Sequence, residues 1–419
     1  MVERYPLPGA RAAVAAGGDT IALEHGEAPA VYLLLDHDWG FNITPFIEAG
    51  RAWIDTAALP VAGWLEGPPL LEARAARKID EYAEWLAERL RRQGVRRVKA
   101  LLGLSGGKDS TAALLVLEAL QEHIDVKYKA VYIHVPFLEP ERNKKHVERI
   151  ARRTGAPIEV IEASRHWMKS MLKWRGLPGR GDRWCTVAKI KPMRRIMKKD
   201  KTLVEVVADR PTEAPKRLKR LWNQLASLNP LAGRKLRPIL WLTLADTIAF
   251  NQEKGLTHPD YREGMQRVAC LICPYRPLHE YPEKWDNLLE DPGIIEEAAK
   301  RKWRREIRRG KIPFQLYLEQ HLWRYPGDTA VKLAAAKQTL AAQADAEAQT
   351  TDIGRKTRQA TTAAWTGDWP YTLPVVGPEE IARLITKAPP WAAVMTPEGP
   401  RSIHASHWAR RVRHRGRRD

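Results

Sequence analysis

The chain has only three cysteines in 419 residues, Cys185, Cys270 and Cys273. So sparse and odd a set does not suggest a disulfide framework; metal binding or catalysis fits it better. Long apolar runs are missing too. Stretches such as AVYLLL fall far short of the roughly 20 residues that cross a bilayer. The opening MVERYPLPGARAAVAAGGDT lacks the basic cluster and apolar core of a secretory signal. A cytoplasmic protein with no membrane partner is expected. Acidic charge is in deficit: 50 Asp and Glu face 70 Lys and Arg, for a net +20. That surplus favours polyanionic partners, nucleic acid first, over a merely basic surface. It is clustered in APKRLKRLW (214–222) and in the terminal HWARRVRHRGRRD, blocks of the kind that form nucleic-acid-binding arms. No repeat of fixed period is present.

What is present describes a globular protein of two or three domains, 44% apolar and 29% charged. Residues 1–70 read as a small β-rich unit of short alternating runs broken by Gly, Asp and Pro. Residues 71–285 begin with an amphipathic helix stopped by Gly94. From 97 to about 250, strand-like and helical runs then alternate. RVKALLGLS, VKYKAVYIHVPF, PIEVIEAS and TLVEVVAD are the strands, and STAALLVLEALQEH and ERNKKHVERIARRTG are two of the helices. This rhythm predicts an α/β doubly wound parallel sheet. Residues 286–419 read as mainly helical, ending in a Pro/Trp-rich stretch and the basic tail.

One turn carries the chemistry. GLSGGKDS closes a strand and opens directly into a helix, so backbone N–H groups and a helix dipole converge on one point, an anion site. Lys108 adds a point charge and Ser105 and Ser110 add hydroxyls. The G-x-x-x-x-G-K-[ST] spacing is not met, because Gly103 is one residue too close and Asp109 stands in the Ser/Thr place. S-G-G-K-D-S resembles instead the signature of the PP-loop ATP pyrophosphatases, which cleave ATP between the α and β phosphates. The resemblance implies that Ser105, Gly106, Gly107, Lys108 and Ser110 cradle pyrophosphate and that Asp109 orients Mg²⁺ or the loop. It places His134 at an adenine edge, with a packed strand-end histidine as the alternative.

RWCTVAKIKPMRR and YREGMQRVACLICPY hold all three cysteines. With ADRPTEAPKR between them, they resemble the phosphoadenosine phosphosulfate (PAPS) reductase family within the PP-loop group, over roughly 97–280. Arg210, Glu213, Arg217, Tyr261, Gly264, Arg267 and Pro274 match its motifs; Ala208, Ala214 and Ala269 depart from them. By this resemblance Arg210, Arg217 and Arg267 bind phosphates, the alternative being a surface ion network. The family's reducing cysteine, in a C-terminal Glu-Cys-Gly-Leu-His motif, has no counterpart after Cys273.

Three thiolates from Cys185, Cys270 and Cys273 suit a 4Fe-4S cluster with one open iron. Zn²⁺ completed by His258 or His279, unmetallated cysteines, or a redox disulfide are the alternatives. The chain therefore reads as an ATP-dependent sulfurtransferase-like enzyme with ATP, Mg²⁺ and a cluster as cofactors. Lys108, Asp109 and Cys185 are its catalytic candidates, tRNA or DNA its substrate, and sulfide or a donor protein its sulfur source. An oligomer is compatible with all of this. A PAPS reductase, or a non-catalytic nucleotide-sensing component that binds nucleic acid, are the competing readings.

Overall fold

The computed structural model describes residues 78–341, apart from 212–214, 266, 277–279, 282–287 and 308–310, and a few short segments of the two ends. The first described helix, α1 (Ile79–Arg92), buries Ile79, Tyr82, Ala83, Leu86, Ala87 and Leu90, the i, i+3, i+4 stripe of a helix laid on a core. β1 (Arg97–Gly103) follows; its Ala100–Leu102 are fully buried. α2 (Lys108–Leu120) buries nearly its whole surface, which its Ala- and Leu-rich sequence allows, and so forms the central helix. β2 (Asp125–His134), α3 (Glu141–Thr154) and β3 (Ile158–Glu162) come next. α4 (Arg165–Arg175), α5 (Cys185–Lys199), β4 (Val204–Val206) and α6 (Pro215–Ala226) complete the alternating part.

The strands form a six-stranded sheet of order β3-β2-β1-β4-β6-β5, where β5 is Leu231–Ala232 and β6 is Lys235–Leu236. The first four strands and β6 run parallel; only the edge pair β5–β6 is antiparallel. The all-parallel expectation is corrected at that edge. Gly233, at φ +57°, closes a tight hairpin in LAGRKL that the strand–helix rhythm concealed. One core joins α1, α2, α3 and the sheet. On the opposite face Leu101, Val131, Ile133 and Leu203 pack against Met193, Ile196 and Met197 of α5. Helices on both faces make the sheet doubly wound, as the pattern predicted. Chain order reverses between β1 and β4, the point in such sheets where a crevice opens beyond the carboxyl ends.

α7 (Leu244–Glu253) begins with a capping box, Thr243 accepting from the Asp246 N–H and Asp246 accepting from that of Thr243. α8 (Pro259–Arg262), α9 (Pro292–Glu306), α10 (Phe314–Glu319) and α11 (Gly327–Ala341) follow. A second core joins α4, α9 and the later helices to Cys185 and Cys270. Residues 1–70 show only two short antiparallel ladders, Arg4–Tyr5 with Ile54–Asp55 and Ala22–Leu23 with Gly26–Glu27; the rest of that β-rich unit lies outside the described residues. So do the basic tail, Glu213 and His279. The expected helical character of 286–419 holds through Ala341, while Ala393–Thr396 pairs with Gly399–Ser402 as a hairpin. No helix among the described residues is long and apolar enough to cross a membrane.

Candidate active site

Gly106 adopts φ +75°, and a Cβ there would press to 3.2 Å on Val147 and 3.3 Å on His146. Only glycine enters this turn without displacing α3. The two serines knit the loop. Ser110 Oγ accepts the Ser105 N–H at 3.1 Å, meets Ser105 Oγ at 2.9 Å and donates to the Gly107 carbonyl at 3.0 Å. Gly107, extended at the N-cap, contributes no side-chain cap, so the first turn of α2 opens toward the crevice with no capping carboxylate or hydroxyl of its own.

Lys108 Nζ donates to Asp109 Oδ2 at 2.8 Å, and Arg210 Nε donates to Asp109 Oδ1 at 2.7 Å. Arg210 follows β4, so this three-charge chain spans the β1/β4 switch point. It is almost dry: Lys108 is 7% and Arg210 0% exposed. Burial works against ionising Asp109, but Arg210 and Lys108 outweigh it and hold its carboxyl well below the usual carboxylate range. Lys108 and Arg210 bring cationic groups to a helix N-terminus, a place for a polyanion. Beside it Asp209 receives Arg220 at 2.9 Å, Arg217 at 3.6 Å and Arg237 at 3.7 Å.

Long-range contacts fix the loop. Tyr261 OH accepts the Lys108 N–H at 2.9 Å, and Asn251 Nδ2 donates to the Lys108 carbonyl at 3.0 Å. Trp365 stacks on the Tyr261 ring with centroids 4.4 Å apart and planes at 13°. Behind the loop His146 and His258 meet edge to face at 4.4 Å. Burial first, then His258 and Arg149, pushes His146 down to about 3. His258 Nδ1 accepts the Asp260 N–H at 3.1 Å.

The cysteines lie along the same edge. Cys185 opens α5, and Cys270 and Cys273 lie on the loop after α8; all three are free and half-buried. They are close enough to shift one another's ionisation. Burial first, then Cys273, raises the Cys185 thiol; burial, Glu139 and the other two thiols raise Cys270, with Lys189 opposing. Lys189, one turn along α5 from Cys185, reaches Glu139 at 3.3 Å. Arginines grip the loop backbone. Arg180 and Arg324 donate to the Pro274 carbonyl at 3.0 and 3.1 Å, and Arg276 to that of Ala269 at 3.1 Å. The Arg183 guanidinium lies 4.9 Å over the Tyr275 ring, at the rim. Among the described residues no group of three or more His, Cys, Asp or Glu is arranged to hold a metal ion.

The loop from Ser105 to Ser110 and the cysteines are parts of one edge. Tyr261 anchors Lys108, and Val268, two residues before Cys270, lies 3.8 Å from where a Cβ on Gly107 would stand. The Leu271 N–H in turn bonds the Leu138 carbonyl of the loop after β2 at 2.9 Å.

The family model for the phosphoadenosine phosphosulfate reductase domain matches residues 99–276. Residues 99–276 are thus similar to that domain. No curated protein matches the chain. Among solved structures it is similar to the U34-tRNA thiolase NcsA from Methanococcus maripaludis with its 4Fe-4S cluster, at 16% identity, over 55% of this chain and 83% of that one, with a TM-score of 0.33. It is also similar to a 4-thiouridine synthetase in complex with RNA and bound ATP, at 20% identity over 48% of this chain and 53% of that one, TM-score 0.27. A third is the NAD+ synthetase of Burkholderia pseudomallei, at 19% identity over 42% of this chain and 74% of that one, TM-score 0.26.

The structure brings several of the sequence-predicted residues near one another. Ser105, Gly106, Gly107, Lys108, Asp109 and Ser110 form the loop, Arg210 joins it, and Cys185, Cys270 and Cys273 lie close enough to influence one another's ionisation. His134 is 4% exposed and bonds Tyr132 OH at 3.3 Å, with Glu141 at 3.8 Å from its other nitrogen. It is a packed strand-end histidine. Arg267 is exposed on the domain surface, and Arg217 turns to Asp209. His258, offered as a zinc ligand, is instead engaged with His146 and Asp260. Sequence reading missed Asn251 and Trp365, and took Tyr261 only as a motif match. Their roles depend on contacts from distant segments that no local pattern signals.

Proposed function

We propose that the chain is an AMP-forming ATP pyrophosphatase that adenylates a nucleic-acid substrate for sulfur transfer. The observation that carries this is the single segment from Tyr261 to Cys273. One end holds the phosphate loop and the other delivers two of the three thiols, so activation and sulfur chemistry share one edge.

In this reading ATP phosphates enter the crevice at the N-terminus of α2, where Lys108 and Arg210 now face Asp109. A substrate oxygen attacks the α-phosphorus, the α–β P–O bond breaks, and pyrophosphate leaves. Lys108 and Arg210 stabilise the charge that develops on the departing group. Asp109, kept ionised, would face Mg²⁺ once the phosphates draw Lys108 and Arg210 away from it. Sulfide then displaces AMP from the activated carbon or phosphorus; the oxygen departs with AMP, and no electrons change hands.

A 4Fe-4S cluster suits the donor set: three soft thiols that influence one another's ionisation, beside an apolar wall that limits solvent. Cys185, Cys270 and Cys273 would hold it, and it would supply a soft site for a sulfide ligand. Lys189 would balance the negative charge of the thiolates. The surplus of basic charge supports tRNA or DNA as the substrate.

Incubation with ATP labelled at the α-phosphate, with and without tRNA or DNA and sulfide, tests the reading. AMP and pyrophosphate, stimulated by the nucleic acid and absent from Lys108→Ala, are expected. ADP and phosphate as the only products would overturn it.

A further inference from the structure

Trp174 is 73% exposed, the most exposed large apolar side chain among the described residues. It stands in the last turn of α4 and lines a groove of about 870 Å³ against α9. On α9 the pairs Lys300/Arg304 and Arg301/Arg305 recur at i, i+4, so all four cations share the exposed face that borders the groove. Arg305 meets Glu306 at 3.0 Å, and Lys300 lies 5.9 Å over the Phe314 ring. Arg301 and Arg304 form no ion pair among the described residues. Glu296 and Glu297 continue the stripe toward the start of α9, so the groove is polarised, with carboxylates at one end and unmatched guanidinium groups at the other.

The groove is coupled to the cysteines. Gly176, just past α4, adopts φ +72° against α9, where a Cβ would meet the Ala298 carbonyl oxygen at 2.6 Å. Its own carbonyl accepts from Trp184 Nε1 at 3.2 Å, and Trp184 precedes Cys185. α4 lies within the segment 99–276 that the family model matches and α9 lies beyond it, so the groove exists because the C-terminal helices pack on that segment.

We infer that this groove binds a single-stranded stretch of nucleic acid, one base stacking on Trp174 and the backbone phosphates lying on Arg301 and Arg304. The inference rests on the nucleic-acid reading above and adds the contact surface. An exposed indole face beside free guanidinium groups is the pairing that single strands use, base on ring and phosphate on cation. A lipid surface would require a broader apolar face than one ring. An acidic peptide would leave the indole without a role. Glu296 and Glu297 repel phosphate and confine the backbone to the Arg301–Arg305 end.

The test is binding of a fluorescein-labelled single-stranded RNA dodecamer to full-length protein by anisotropy across a salt series. It compares wild type, Trp174→Ala, Trp174→Phe and the double variant Arg301→Glu/Arg304→Glu. Loss of one stacked base predicts about 5- to 150-fold weaker binding for Trp174→Ala, with the salt slope unchanged and most affinity restored in Trp174→Phe. The double variant should lose about 1.4 from the slope of log affinity against log salt, two phosphates at ~0.7 each. ATP-to-AMP turnover without RNA should match wild type in all three variants. If wild type binds RNA and the variants bind it equally, the groove assignment is overturned and the nucleic-acid reading stands. Wild type that binds no dodecamer at low salt overturns the groove assignment, and wild type that also fails to bind tRNA and DNA overturns the nucleic-acid reading with it.

Discussion

The phosphate loop and the cysteine pocket sit side by side and are built in opposite ways. The loop is a closed polar network: serine on serine, lysine on aspartate, aspartate on arginine, with Tyr261 and Asn251 holding the Lys108 backbone. The cysteine pocket has a rigid, arginine-gripped backbone but side chains left without matching partners, and burial raises the Cys185 and Cys270 thiols. The first network is preorganised for a charged ligand that changes little between visits. The second keeps its Cys185 and Cys270 thiols protonated, because burial disfavours the thiolate, and a soft metal would have to displace those protons. The contrast predicts that metal uptake at the cysteines releases protons, whereas filling the loop leaves its protonation unchanged.

Breaking the loop should have the largest effect. Lys108→Ala removes a charge from the departing pyrophosphate and should lower ATP-to-AMP turnover by about 10²- to 10³-fold, with the fold intact by circular dichroism. The cysteines come next. Cys185→Ser, Cys270→Ser or Cys273→Ser should each abolish bound iron and sulfur transfer while ATP binding, followed calorimetrically, survives. Loss of ATP binding in all three would show that the two regions are one cooperative unit.

The pH predictions sharpen the same contrast. In metal-free protein the raised Cys185 and Cys270 thiols should alkylate more slowly at pH 8 than a free thiol, and speed up as pH rises above 9, because only the thiolate reacts. Near the loop the His146 effect runs through stability. Its folded value lies at about 3, below the unfolded ~6.5, so the unfolded chain binds the extra proton. Stability should be unaffected above about pH 6.5 and fall by up to a few kcal/mol as pH drops toward 3. His146→Phe should flatten that limb of a denaturation series. The smallest effect belongs to Trp365→Ala, which loosens Tyr261 and should raise the KM for ATP a few-fold with kcat nearly unchanged.

The legibility of the two regions differs for the same physical reason. The turn from Ser105 to Ser110 was readable as a strand–loop–helix junction because its pattern is local: a strand end, two glycines, a lysine and a helix start must be neighbours in sequence. The doubly wound sheet was readable from strand–helix alternation; the β5–β6 hairpin was hidden because two-residue strands carry no periodicity. Of the cysteine pocket, the ligand types were legible but not their company. Lys189, Glu139, Arg276 and Arg324 arrive from four separate elements. His134 misled in the opposite sense: a histidine at a strand end suggests a ligand contact, and Tyr132 and burial claim it instead. Arg217 and Arg220 looked like a free basic block, yet both turn onto Asp209.

The central claim is that this edge cleaves ATP between its α and β phosphates. Phosphorus-31 NMR of the reaction with ATP, Mg²⁺ and nucleic acid reads that bond directly. AMP and pyrophosphate appearing in equal amounts, and vanishing in Lys108→Ala, is the predicted result. Resonances of ADP and inorganic phosphate alone would contradict it.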